Sequence, residues 1–127
     1  MKNKLVLVLC FTLVSSYIQA DECDDLSTVE MADCLNKIGL NLKTQLTVAY
    51  NRALKNAEKE SASLPGTPDL KRVLIKSQKE WWKHRESQCD AETIPYATGS
   101  GYTNVYLLCM NRITAARIEE LNSTWAQ

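Results

Sequence analysis

The chain has 127 residues, which fits a single domain. Basic and acidic residues number 15 each, so there is none of the basic excess of a nucleic-acid binder or a polybasic membrane-surface protein. Four Gly and three Pro are too few for a low-complexity or disordered chain, and the single His narrows metal and acid–base chemistry.

The N-terminus reads as a secretory signal peptide over residues 1–20. Lys2 and Lys4 precede an apolar run over residues 5–14, and Ala20 stands before the acidic pair Asp21-Glu22. An apolar run of about ten residues spans only half of the roughly 30 Å hydrocarbon core, which disfavours a membrane anchor. A lipoprotein reading through Cys10 is weaker still, because Leu9 stands where a small residue is expected. Cleavage after Ala20 leaves residues 21–127 as one helical domain, with 13 basic and 15 acidic residues and a net charge of about −2.

Four cysteines follow the cleavage point: Cys23, Cys34, Cys89 and Cys109. An even count in an exported chain of this size reads as two disulfides. Structural zinc sites use close ligand pairs, whereas 10, 54 and 19 residues intervene here, and no C-x-x-C redox pair exists. No metal or cofactor is expected.

The first helix is expected over residues 28–62. Ser27 with Glu30 makes a capping box, and Met31, Leu35, Ile38, Leu42, Leu46, Ala49, Ala53 and Ala57 form one apolar stripe. Gly39 is the expected break point, and Leu64-Pro65-Gly66 ends the segment. The second helix starts with Thr67 as N-cap and Pro68 in the first helical position. Its expected inner stripe is Leu70, Leu74, Ser77, Trp81, His84 and Gln88, widened by Val73, fading near residues 90–92. Residues 93–102 read as a loop with Pro95 and a Gly99-Ser100-Gly101 turn. The third helix runs over residues 103–123, with Met110, Ile113, Arg117, Leu121 and Trp125 on one face and Val105, Leu108 and Ala116 beside it.

Three amphipathic helices on short loops imply an all-α antiparallel three-helix bundle. A continuous first helix would be about 52 Å long against about 35 Å for the second, so it must break or overhang. Up-down-up order brings all four cysteines to one end. The local pairs Cys23–Cys34 and Cys89–Cys109 are favoured among the three pairings, each stabilising by about 3 kcal/mol in the chain-entropy model.

Catalytic signals are weak, so the chain is not expected to be an enzyme. His84 has no Ser or Cys nucleophile at a telling spacing. The neighbouring carboxylates Asp24-Asp25 and Glu119-Glu120, with Glu58 and Glu60, do not share a helix face as a glycosidase pair would need. The Gly99-Ser100-Gly101 turn lacks the strand and Lys of a phosphate loop. Asn122-Ser123-Thr124 matches a glycosylation sequon, a pattern short enough to arise by chance. Trp81 falls on the core stripe. Trp82, turned by one residue, is a candidate partner anchor, since Trp is enriched at binding hot spots. Arg85 and Arg117 lie on or beside apolar faces, with Glu30 or Asp33 the expected ion partner of Arg85.

Larger patterns carry a resemblance. Gln78, Trp81, Arg85 and Cys89 form Q-x2-W-x3-R-x3-C, and Cys109, Thr114, Arg117 and Leu121 form C-x4-T-x2-R-x3-L. With Glu30-Met31 before Cys34, and Leu46 with Tyr50, the chain resembles the lysozyme-inhibitor LprI-like family of small exported bacterial proteins. Thr47, Glu86 and Lys43 depart from residues common there, without bearing on the fold. The resemblance implies a helical periplasmic or secreted domain whose partner is a protein of lysozyme type. Glu30, Gln78, Trp81, Arg85, Thr114 and Arg117 are its signature residues, read here as mostly structural.

The expected function is therefore non-enzymatic binding that blocks a lysozyme-type peptidoglycan glycosidase, with no nucleic-acid partner and no stable membrane insertion. The loop over residues 96–104 is the candidate inserting element, with Tyr96, Ser100 and Tyr102 beside Trp82 as contacts. The alternative is a periplasmic interaction or immunity module with a non-lysozyme partner, using Trp82 and the first helix.

Overall fold

The structure, a computed structural model, describes residues 22–125; the expected signal segment lies outside the described residues. It contains three helices: α1 (Thr28–Ser63), α2 (Leu70–Thr93) and α3 (Tyr102–Thr124), with a short 3-10 turn at Ile94–Tyr96. No strand occurs among the described residues.

Cross-helix hydrogen bonds fix the order of the bundle. Asn104 Nδ2 donates to Thr28 O and Asn111 Nδ2 to Leu35 O, while Asn56 Nδ2 donates to Trp125 O. Numbers rise together along these pairs, so α1 and α3 run parallel. Leu70 N donates to Ser61 Oγ, and Lys71 pairs with Glu58. Arg117 bonds Gln78, Arg85 bonds Thr114, and Arg112 bonds Glu92. Numbers fall as their partners rise, so α2 is antiparallel to both neighbours.

The N-terminus of α1 forms as its capping box requires. Glu30 N donates to Ser27 Oγ, and Ser27 N donates back to Glu30 Oε2 at 3.1 Å. The Ser27 hydroxyl also donates to Glu30 Oε2 at 2.6 Å, and this bond, followed by the one from Ser27 N, holds the Glu30 carboxyl below its usual pKa. Leu35, Leu42, Leu46, Ala49, Ala53 and Ala57 are buried in the expected stripe. The three alanines at four-residue steps let Leu74, Ile118 and Leu121 pack close to the α1 backbone.

Gly39 does not break α1, contrary to the sequence expectation. The helix is continuous for 36 residues, and Gly39 lies against α3. A Cβ there would sit 2.8 Å from Asn111 Oδ1, while the same amide donates to Leu35 O. The glycine makes room for this interhelix contact rather than for a bend. The length mismatch is therefore met by overhang.

Two other expectations shift. The N-cap of α2 is Asp69, not Thr67: its carboxylate accepts from Lys71 N and Arg72 N. Thr67 Oγ1 instead donates to Leu64 O, and Pro68 precedes the cap. The turn between them carries Gly66 at φ 85°, the one positive φ among the described residues. The inner faces of α2 and α3 are also rotated from the hydropathy reading. Gln78 and Cys89 are buried while Ser77, His84 and Gln88 are exposed; Ile118 is buried while Ala116 is exposed. Polar side chains cause the error. Gln78, Asn104, Thr114 and Arg117 hydrogen-bond inward, so the buried faces are only partly apolar.

Gly39→Ala tests the packing reading. Helix propensity gains about 1 kcal/mol, and disturbing the Asn111–Leu35 bond costs about as much. Urea unfolding is expected to place the variant within about 1 kcal/mol of the parent, with unchanged helical circular dichroism.

Candidate functional site

Two regions of this bundle carry the chemistry. One is a polar network between α2 and α3; the other is the end of the molecule where both disulfides lie.

The network joins five of the six signature residues. Arg117, only 6% exposed, donates from Nε to Gln78 Oε1 at 3.0 Å and from Nη1 to Glu120 Oε2 at 2.8 Å. Its guanidinium carbon lies 5.9 Å from the Trp81 ring centre. Trp81 meets Trp82 edge to face at 5.1 Å, and both half-buried rings pack on the core. Arg85 stacks 4.2 Å over Trp82 and donates from Nη1 to Thr114 Oγ1 at 2.8 Å. Glu30 stands apart, occupied with the cap of α1.

Arg85 corrects the expected pairing. It contacts neither Glu30 nor Asp33 and joins none of the ion pairs among the described residues. Its position on α2 aims it across at α3. Aromatic faces and a threonine hold the cation there, in place of a carboxylate. Its Nε is buried without a partner, and burial lowers the guanidinium pKa, opposed by the nearby Glu86. Burial likewise raises the Tyr50 hydroxyl, against the pull of Arg117.

The disulfide end is built by the overhang of α1. Cys23–Cys34 folds the entering chain back on the first turns of α1, and Cys89–Cys109 staples the end of α2 to α3. Thr93, fully buried, donates to the carbonyls of Cys89 and Asp90, closing α2. Beside the second disulfide, Arg112 Nη2 bonds both oxygens of Glu92 at 2.8 and 2.9 Å. Those anchors support the connection to α3, itself a series of turns closed by Ala97 N to Ile94 O and Gly99 N to Tyr96 O. Gly99 and Gly101 adopt no positive φ, so the tip is ordinary turn backbone.

This connection presents Ile94, Tyr96 and Tyr102 to solvent at 71%, 50% and 39% exposure, with Ser100 exposed beside them. Leu26 and Val29 at the start of α1 are exposed at the same end. Around these apolar groups sit exposed carboxylates: Asp24, Asp25, Glu30 and Asp33 from one side, Glu86 and Asp90 from the other. The opposite end mixes exposed cations, Lys55, Lys59, Arg72 and Lys76, with exposed acids, Glu58, Glu60, Asp69, Glu119 and Glu120. The disulfide end is thus acidic and the far end mixed, a difference the near-zero net charge conceals.

Tyr96, Ser100 and Tyr102 come together in one connection, while Trp82 belongs to the network and packs on the core. Sequence reasoning missed Ile94 and the two interhelix asparagines. Asn104 and Asn111 are seven residues apart on one helix face, which is a legible signal for a polar seam. Among the described residues no group of three His, Cys, Asp or Glu is placed to hold a metal, and no helix is long and apolar enough to cross a membrane.

Two stability tests follow. Arg117→Met leaves the buried Gln78 oxygen without its donor and is expected to destabilise by about 2 kcal/mol in urea titration. Glu92 has its pKa depressed by hydrogen bonds from Gln88 and then Arg112. A depressed carboxylate stabilises the fold above its unfolded pKa, and that contribution is lost as pH falls through the folded pKa. Stability is therefore expected to decline as pH falls below the ordinary carboxylate range, and Arg112→Gln to shrink that decline in thermal melts across pH.

No curated protein and no solved structure matches the chain. The family described as lysozyme inhibitor LprI matches residues 20–121, a span that includes both disulfides, the Trp–Arg network and the exposed connection. With most of its length matched in this way, the chain belongs to the lysozyme inhibitor LprI family.

Proposed function

We propose that this is an exported, non-enzymatic binding protein that inhibits a lysozyme-type peptidoglycan glycosidase. Family membership carries the reading. Export is supported by the two disulfides and by the signal-like residues 1–20.

The disulfide end is the surface that fits the task. Glycosidases of this type work with two carboxyl groups in a cleft. Tyr96, Ser100 and Tyr102 offer hydroxyl donors to such groups, and Ile94 with the tyrosine rings supplies apolar area that keeps water and glycan out. The surrounding Asp24, Asp25, Asp33, Glu86 and Asp90 favour approach to an enzyme with a basic surface, which raises the rate of encounter more than the final affinity. The disulfides and the Glu92–Arg112 pair hold the connection in shape beforehand, so less entropy is lost on binding.

The test is lysis of peptidoglycan by several lysozyme types, with and without the oxidised protein. Dose-dependent inhibition of one type is expected, weakened at least tenfold by Tyr96→Ala with Tyr102→Ala, as loss of aromatic contacts at an interface centre predicts. Inhibition unchanged in that variant, and in Ser100→Ala with Tyr102→Ala, would remove the connection from the interface. No inhibition of any type would favour a different protein partner.

A further inference from the structure

The outward face of α2 is not used by the proposed inhibitory surface. Arg72, Lys76, Lys79 and Lys83 follow one another at four-, three- and four-residue steps. On a helix they fall within an arc of about 60° and run for about 16 Å along the axis. All four are exposed, and they lie roughly 150° around the helix from the buried Leu74 and Gln78.

Their charge is largely uncompensated. Lys83 makes an exposed pair with Glu80 at 3.3 Å, worth little in water. Arg72, Lys76 and Lys79 enter none of the ion pairs among the described residues. At the N-terminal end of the row, Glu58 pairs with Lys71, Glu120 with Arg117, and Asp69 caps the helix. Val73 and Ile75, both about half exposed, project on the two flanks of the row.

We propose that this face of α2 docks the protein on an anionic phospholipid surface, leaving the bundle soluble and uninserted. A straight row of cations, three of them lysines, makes no pocket and no fixed fork of donors. It matches a diffuse sheet of phosphate charge better than the geometry of a protein carboxylate. Flanking aliphatic side chains enter the headgroup boundary as the charges approach it. Glu86 and Asp90 continue the same helix face toward the disulfide end, so an anionic surface repels that end and the contact falls on the N-terminal half of α2. Docking on α2 thus leaves the disulfide end unobstructed.

The experiment is co-sedimentation of the oxidised protein with phosphatidylcholine vesicles, with and without phosphatidylglycerol. Binding is expected only to the anionic vesicles, and to fall at least tenfold from low to high NaCl. Replacing Arg72, Lys76, Lys79 and Lys83 together by Gln is expected to lower partitioning by about two orders of magnitude or more. Lys76→Gln with Lys79→Gln, a lighter change should the fourfold variant misfold, is expected to lower it about tenfold or more. Lys37→Gln with Lys43→Gln and Lys55→Gln on α1 removes similar charge elsewhere and is expected to bind nearly as well as the parent. The proposal is overturned by any of three results: no binding to anionic vesicles at low salt, equal binding to both vesicle types, or equal loss from the α1 control. Retention on an immobilised acidic protein without vesicle binding would overturn it in favour of a protein partner. Lysozyme inhibition is read separately, on other residues, so either proposal can fail alone.

Discussion

Thirty-six residues of uninterrupted helix in α1, against 24 in α2, make a mismatch of about 18 Å. The hairpin joining them is tight, with Leu70 N on Ser61 Oγ, so the excess emerges at the other end. There the first turns of α1 have no α2 beside them. The entering chain and the α2–α3 connection have to cover them, and each is held by its own disulfide. The exposed Ile94, Tyr96 and Tyr102 occur where regular helix packing runs out and covalent bonds replace core area.

Away from that end, polar contacts do work usually done by apolar ones. A core of leucines, alanines, Ile118 and three half-buried tryptophans is modest for a bundle of this length. Asn104 and Asn111 tie α3 to carbonyls of α1, and Arg117 ties α3 to Gln78 of α2. Such bonds add little net energy, but they penalise other registers, because a slipped helix would leave buried polar groups unpaired. The Trp–Arg signature acts here as a register device shared between α2 and α3. Its one unsatisfied member, Arg85, rests on aromatic faces without a counter-ion.

Charge divides along the same axis. Carboxylates gather at the disulfide end, cations line the first part of the outer face of α2, and the far end carries both signs. A sum over the sequence near zero hides the acidic excess of one end, because the two ends of a helix about 35 Å long are several screening lengths apart. The two ends therefore present different electrostatic surfaces to their surroundings.

The sequence by itself determined the class of structure and most of α1. Ser27 and Glu30 are local partners, and the stripe from Leu35 to Ala57 repeats at helical steps, so both were legible without a fold. An even cysteine count after the signal segment and the Q-x2-W-x3-R-x3-C pattern pointed to the stapled bundle and to the LprI family. Only the tertiary structure decided the rest. Whether Gly39 bends a helix or admits Asn111 depends on a residue 72 positions away. Arg85 was expected to meet Glu30 or Asp33, but its partners are set by how α2 turns toward α3. The inner faces of α2 and α3 misled a hydropathy reading because buried Gln, Asn, Thr and Arg look like surface residues until their acceptors are in place. Local rules act over a few residues along the chain, whereas these outcomes depend on which polar groups the packed helices bring within hydrogen-bond reach.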